Sequence, residues 1–294
     1  MKTHIIIFFS LILLAACKSS SDKSDAYGTF ESTEVTISSE SAGKIIWVKF
    51  EEGEQLKAGD TVALIDTVQL SLKHDALIAQ KNAASNKSSY ITAQVNVLEE
   101  QKKTSQVEKD RLEKLFKDGA ATQQQLDNIN GVIAVYDKQI SSIETTNAPV
   151  LNETEAYEKQ IAQMNDQIGR SYIVNPIDGT VLTKYSEANE IVIAGKALYK
   201  IAGLDYIYLR VYVSGAQLPS LKLGQTVKVL ADKNESEMKE YEGTISWISS
   251  TAEFTPKIIQ TKKERVNLVY ALKIKVKNDG TLKIGMPGEM KILN

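Results

Sequence analysis

The chain has 294 residues, a formal net charge of −2 and an apolar fraction of 43%. This is enough length and apolar content for one large domain or several small ones, and the lack of a basic excess argues against nucleic-acid binding. A single cysteine, Cys17, excludes any intramolecular disulfide.

Residues 1–17 have the three parts of a secretory signal: the charge of Lys2, an apolar run over 5–14 broken only by Ser10, and small residues before Cys17. The run is too short for a membrane-spanning helix, which needs about 20 residues. Leu14-Ala15-Ala16-Cys17 resembles the lipobox of bacterial lipoproteins. That resemblance implies that Cys17 becomes the mature N-terminus and carries acyl chains. The competing reading is an ordinary signal peptide with an incidental cysteine. Residues 18–27 are polar and Ser-rich and read as a flexible tether. Residues 28–40 hold one expected strand, at 30–38, that joins the C-terminal β-domain.

A repeat follows. With Gly43 set on Gly179, Ile45 falls on Val181, Glu51 on Glu187, Gly53 on Asn189, Leu56 on Val192, Gly59 on Gly195 and Ile65 on Ile201. Gly and Asn are the residues that most easily adopt positive φ, so a shared turn explains the Gly53–Asn189 pairing. Each copy reads as a strand, a turn and a short strand. Neither buries its apolar face alone, so the halves at 41–66 and 173–203 must meet. The insert between them must leave and return at one place, as a helical hairpin does.

The first helix is expected from Val68, with Asp66 and Gln69 as a capping-box-like pair. Leu70, Leu77, Ala84, Ile91, Leu98, Ser105 and Leu112 recur every seven residues, with Ala76, Ala83, Tyr90 and Val97 read as running beside them. Asp118-Gly119 ends this helix, and Thr122 with Gln125 starts the next. The second helix carries Leu126, Ile133, Ile140, Asn147, Thr154, Ile161 and Ile168, and beside them Ile129, Tyr136, Ile143, Val150, Tyr157 and Met164. These are a and d positions of a heptad. Pro149 lies among them, yet the phase is the same on both sides, so a local distortion on one continuing axis is expected. Each helix spans on the order of 70 Å. A rod of that reach is either a passive stalk or an arm, and reach favours the arm.

From residue 204 the pattern changes to strands, expected at 206–213, 226–230, 241–248, 267–276 and 289–293, separated by Gly turns. They suit a small antiparallel barrel.

Chemistry-bearing residues are sparse. His4 and His74 are the only histidines, so no zinc site is expected at His74. No phosphate-binding glycine loop, dinucleotide fingerprint or nucleophile elbow occurs, and no enzyme activity is expected. The half-repeats look like halves of a biotinyl or lipoyl carrier domain, but the turn that would present the modified lysine is replaced by the hairpin. No cofactor is expected.

The mature chain resembles the HlyD-like membrane-fusion proteins, the periplasmic adaptors of tripartite efflux and secretion systems. The segments that carry this are AGKIIWVKFEEGEQLKAGDTVALID (42–66), NPIDGTV (175–181) and LKIGMPGEM (282–290). AEFTPKIIQTKKERVNLVYALKI (252–274) is closest to the YbhG-type branch. The resemblance implies an elongated α+β fold: an antiparallel α-helical coiled-coil hairpin (67–172) inserted between two halves of a lipoyl-like β-sandwich, followed by a small antiparallel β-barrel (204–294). It implies a lipid-anchored envelope protein in the periplasm, inner membrane favoured, that links an inner-membrane transporter, ABC-type favoured, to an outer-membrane TolC-like channel. A homo-oligomeric ring is implied; nucleic acid is not. At the hairpin tip Arg111, Leu112, Leu115 and Thr122 are the candidate channel-docking residues. The competing reading leaves Leu112 and Leu115 as the last coiled-coil layer and Arg111 solvated. Gly43, Gly53, Gly59, Gly179, Asn189 and Gly195 are the candidate turn residues of the two halves. The rival function is a lipid-anchored structural envelope tether without transport.

Overall fold

A computed structural model of the chain describes residues 24–254 and 268–293. Cys17, the signal and most of the tether lie outside the described residues, as does the segment 255–267. In chain order the first elements are β1 (Ala26–Glu31), β2 (Glu34–Ser38), β3 (Gly43–Val48), β4 (Gln55–Leu56) and β5 (Thr61–Ile65). The helices α1 (Val68–Lys117) and α2 (Gln123–Gly169) follow. Then come β6 (Tyr172–Val174), β7 (Gly179–Lys184), β8 (Ile191–Val192), β9 (Ala197–Ala202), β10 (Tyr206–Ser214), β11 (Thr226–Asp232), β12 (Met238–Ile248), β13 (Glu253–Phe254), β14 (Leu268–Lys277) and β15 (Pro287–Ile292).

The two repeat copies fold into a sandwich of two four-stranded sheets, β2-β9-β7-β4 and β6-β5-β3-β8. Each copy sends its middle strand to the other: β4 pairs with β7, and β8 with β3. The crossing is reciprocal down to single hydrogen bonds. Gly53 N–H donates to the Val181 carbonyl and Asn189 N–H to the Ile45 carbonyl, both at 2.8 Å. Val181 N–H returns to Glu54 at 2.9 Å, and Ile45 N–H to Glu190 at 2.8 Å. The relation reaches further back than the repeat legible in sequence. Gly59 N–H donates to Asn175 as Gly195 N–H does to Ser39, each at 2.8 Å. Ile45, Ile65, Val181, Leu198 and Ile201 fill the space between the sheets.

The hairpin leaves at Ile65 and returns at Tyr172, on the paired strands β5 and β6. Ile65 N–H donates to the Ser171 carbonyl at 2.9 Å, closing the base. At the foot of α2, Arg170 reaches Asp166 at 2.8 Å and Glu40 at 3.3 Å, tying helix to sandwich. The helices run 50 and 47 residues, about 75 and 70 Å long. α2 continues through Pro149. Both of its expected rows are buried or half-buried.

Three expectations need correction. Asp66 and Gln69 do not form a capping box. Thr67 is the N-cap residue without a side-chain cap bond, and the Asp66 carboxylate accepts from Val68 N–H at 2.9 Å. Ala76, Ala83, Tyr90 and Val97 do not line the seam; all are exposed. They sit one position away from the seam row, which rotates them about 100°. The row that does face α2 is largely polar: His74, Lys81, Ser88, Val95, Lys102 and Lys109, seven residues apart and half-buried. Three of these pin the register, Lys81 to Glu158 at 2.7 Å, Ser88 to Asn147 at 2.8 Å and Lys102 to Asp137 at 2.6 Å. Third, the single strand expected at 30–38 is two strands in different sheets. β1 pairs with β10 and β15, while β2 pairs with β9. Phe30 must enter one core while Val35 and Ile37 pack on the other, so the chain crosses at Ser32–Thr33. Ser32 Oγ donates to the Gly203 carbonyl at 3.0 Å and fastens the two crossings together.

β10, β1, β15, β11, β12 and β14 close in that order into an antiparallel barrel, with β14 pairing back to β10 and β13 added outside β14. The alternation of YIYLRVYV puts Ile207, Leu209, Val211 and Val213 inside with Phe30, Ile245, Ile274 and Met290. Closure leaves no edge for further pairing among these six strands.

Candidate functional site

The hairpin tip is a built turn. Gly119 N–H donates to Phe116 at 3.0 Å and Ala120 N–H to Leu115 at 2.8 Å, a Schellman closure with Gly119 at φ 71°. Two residues on, Thr122 caps α2. Its Oγ1 accepts from Gln125 N–H at 3.3 Å, and Thr122 N–H donates to Gln125 Oε1 at 2.7 Å. Thr122 Oγ1 also donates to Gln125 Oε1 at 3.1 Å, so this hydroxyl is committed to the turn.

The other tip candidates are placed differently. Arg111 is 73% exposed, with Glu108 3.6 Å away. Leu112 and Leu115 are half-buried at the last layer of the coil. Phe116, absent from the sequence candidates, is 40% exposed beside them. It falls seven residues after Lys109, so the polar row of α1 would have pointed to it. The tip thus presents a guanidinium with planar donors next to an apolar step of Leu115 and Phe116, on a turn fixed by two caps.

In the sandwich, Gly53 and Asn189 have φ of 87° and 73° at equivalent turns. Asn189 is the one non-glycine residue with positive φ among the described residues. Gly59 and Gly195 sit at the second pair of turns, and Gly43 and Gly179 open β3 and β7. The repeat-equivalent Glu51 and Glu187 converge on one cation. Lys184 Nζ lies 2.8 Å from Glu51 and 2.7 Å from Glu187, with its side chain 9% exposed. Desolvation pulls the ammonium down, but the hydrogen bonds to Glu187 and Glu51 outweigh it, and the balance holds Lys184 above the ordinary lysine value. A raised folded pKa means the contribution is complete below the ordinary value and lost as pH climbs through the raised one. The stability gap between the wild type and Lys184→Met is therefore expected to stay level up to about pH 10.5 and to close above it. Urea midpoints at stepped pH measure this, and a gap that closes near neutrality would contradict it.

His74 Nδ1 lies 3.1 Å from Asp75. No cluster of His, Cys, Asp and Glu fit to hold a metal ion occurs among the described residues, and no described helix is long and apolar enough to cross a membrane.

A swapped sandwich interrupted by a long hairpin and joined to a closed barrel is the architecture of a membrane-fusion adaptor. The family model described as RND MFP, barrel-sandwich hybrid domain matches residues 33–202, more than half of the chain. The chain belongs to that family and is an HlyD-like membrane-fusion protein, a non-enzymatic structural class. A UPF0194 membrane protein of Yersinia enterocolitica is 37% identical over 116 residues, 39% of this chain and 35% of that one. The match thus spans about a third of that relative's length. Among solved structures, the membrane fusion protein Spr0693 from Streptococcus pneumoniae R6 aligns with a TM-score of 0.57 at 15% identity, over 91% of this chain and 98% of that one. MacA from Actinobacillus actinomycetemcomitans aligns at 0.53 and 20% identity, over 90% and 76%. Both likenesses speak for the fold.

Proposed function

We propose that the chain is the periplasmic adaptor of an efflux or secretion system, held at a membrane by acyl chains on Cys17 and linking an inner-membrane transporter to an outer-membrane channel. The observation that carries this is the hairpin. Two helices of about 70 Å or more leave and re-enter adjacent strands of the sandwich, so the rod adds reach and almost nothing to the sandwich core. The tip is capped on both sides, which suits a surface that must keep its shape. The resemblance of 252–274 to the YbhG-type branch favours an ABC-type transporter as partner. Rings formed through the sandwich and barrel complete the proposal. Export is driven by the transporter; this chain positions and recognises.

Arg111→Glu with Leu115→Ser tests it. The exposed guanidinium and the half-buried Leu115 of the apolar step are the tip's proposed anchors, and loss of such anchors at an interface costs about 2 kcal/mol or more each. Channel co-purification and export are expected to fall at least tenfold, with helicity and ring size unchanged. Thr122→Ala, which removes the cap, is expected to cost about 1 kcal/mol of local stability. If the double variant still pulls down the channel and exports normally, docking at the tip is wrong and a structural tether becomes the better reading.

A further inference from the structure

The two ends of the barrel differ in chemistry. β1 and β10 join the sandwich at Glu31 and Tyr206, so the far end of the barrel holds the opposite ends of these strands. At the sandwich end the turns are charged, with five charged side chains over 232–239 and three over 277–283. The far end reverses this. Lys222 is the one charged residue over 214–226, and 244–252 contains none. A free end of a soluble domain normally carries charge, and an apolar patch left open marks a contact surface.

The far end is also apolar in what it exposes. Leu223 precedes β11, Trp247 lies near the end of β12 and Leu293 follows β15; they are 69%, 40% and 51% exposed. Gly224 N–H donates to the Ile245 carbonyl at 2.8 Å and Val227 stands opposite Ile292, so the three side chains belong to neighbouring strands. Tyr27 of β1, 57% exposed, lies a step behind them. The described chain begins at the same place. Asp25 N–H donates to the Met290 carbonyl at 2.9 Å, and the Asp25 carboxylate accepts from Ile292 N–H at 2.8 Å, which commits that acid. Ser24 comes seven residues after Cys17, and seven residues reach about 25 Å at most. Acyl chains on Cys17 therefore hold this end of the barrel within that distance of the bilayer. Leucines flanked by Trp and Tyr, with a basic side chain beside them, are the composition that settles at a lipid–water boundary. A tether fixes distance and leaves orientation open. An apolar end fixes orientation, and here it turns the sandwich and its hairpin away from the bilayer.

We propose that the end of the barrel far from the sandwich docks into the surface of the bilayer that holds Cys17. Leu223, Leu293 and Trp247 enter the boundary between headgroups and acyl chains, Tyr27 stays at headgroup level, and Lys222 meets lipid phosphate. The inference rests on the acyl anchor proposed above, and the two fail separately.

The full acylated chain on phosphatidylethanolamine–phosphatidylglycerol vesicles with brominated acyl chains tests this through its two tryptophans. Bromine quenches indole emission only at close contact. Trp47→Phe leaves Trp247 as the reporter at the barrel rim, and Trp247→Phe leaves Trp47 on β3 of the sandwich. Trp247 emission is expected to be quenched and Trp47 emission to be unchanged. Leu223→Glu with Leu293→Glu changes two solvent-facing positions, so folding is kept. This variant is expected to lower the docked-to-undocked ratio at least about tenfold and to abolish the quenching, while Cys17 keeps the chain on the vesicles. A vesicle-bound chain with Trp247 unquenched overturns rim docking, leaves the anchor standing and gives the rim to a protein occupant. Equal quenching of both tryptophans overturns end-on docking. A chain without acyl mass overturns the anchor; the rim is then upheld by Trp247 quenching and overturned by its absence.

Discussion

Gly28→Ala is expected to unfold the barrel at ordinary temperatures, or to lower its denaturant midpoint by the equivalent of at least about 3 kcal/mol. Gly28 stands opposite Val211 of β10 and Gly288 of β15, in the middle of the strand that joins them. A Cβ there would overlap the Arg210 carbonyl oxygen and lie 2.6 Å from its carbon. Those atoms are backbone in a closed sheet, so relief requires β1 and β10 to separate. Separation opens a ladder that also buries Phe30. Gly288 is the internal comparison. An added Cβ would meet Leu209 Cδ1 at 2.7 Å and Phe30 Cε2 at 2.8 Å, both side-chain ends. Gly288→Ala is therefore expected to cost less, about 1–3 kcal/mol. Urea denaturation of both variants decides the order; equal midpoints would show that backbone approach is not what fixes Gly28.

How much of this was legible depended on which physical signal each element carries. α2 was legible because its seam is apolar and its period survives Pro149. The seam of α1 was half legible. Leu77, Ala84 and Ile91 are its buried residues, but the row beside them is held by Lys81, Ser88 and Lys102, and a search for apolar period does not register a polar seam. The stripe it found instead is real and faces outward. In the sandwich, Gly53 and Asn189 reveal the repeat because a left-handed turn narrows the choice of residue. Ser39 and Asn175 occupy equivalent buried places and make equivalent backbone bonds, but their side chains bond different partners, Ser41 in one half and Lys57, Ile177 and Tyr199 in the other, so the residue types differ and the alignment stops short of them. The crossing at Ser32–Thr33 left no trace, since strand alternation does not say which sheet a strand joins. At the tip the caps were legible as Thr122–Gln125 and Gly119. That Thr122 is tied up by its cap, and that Phe116 is exposed, required the turn's geometry.

Asn175→Ala is expected to cost about 3–5 kcal/mol and to loosen the sandwich where the hairpin is rooted. Asn175 is fully buried next to the return strand β6. Its amide donates to the Lys57 carbonyl at 2.9 Å and the Ile177 carbonyl at 2.7 Å, and its oxygen accepts from Tyr199 OH at 2.9 Å. Burial pushes the Tyr199 phenol above its ordinary value, so the donor keeps its proton. The ring of Tyr199 also packs on Phe50, centroids 4.4 Å apart. Alanine takes these partners from the Ile177 carbonyl and the buried Tyr199 hydroxyl, while the Lys57 carbonyl keeps Asp60 N–H at 3.3 Å; unpaired buried groups cost more than paired ones return. Tyr199→Phe keeps the ring but leaves the buried Asn175 Oδ1 without its donor, so about 1–3 kcal/mol is expected. The segment at Lys57–Asp60 has further ties: Gly59 N–H donates to the Asn175 carbonyl, and Asn175 N–H to Asp60. Amide exchange at Gly59 and Ile65 should accelerate in Asn175→Ala well before global unfolding. A small cost shared equally by both variants would mean that the side-chain network does not close the sandwich. The reciprocal backbone bonds of the two halves would then have to carry that closure by themselves.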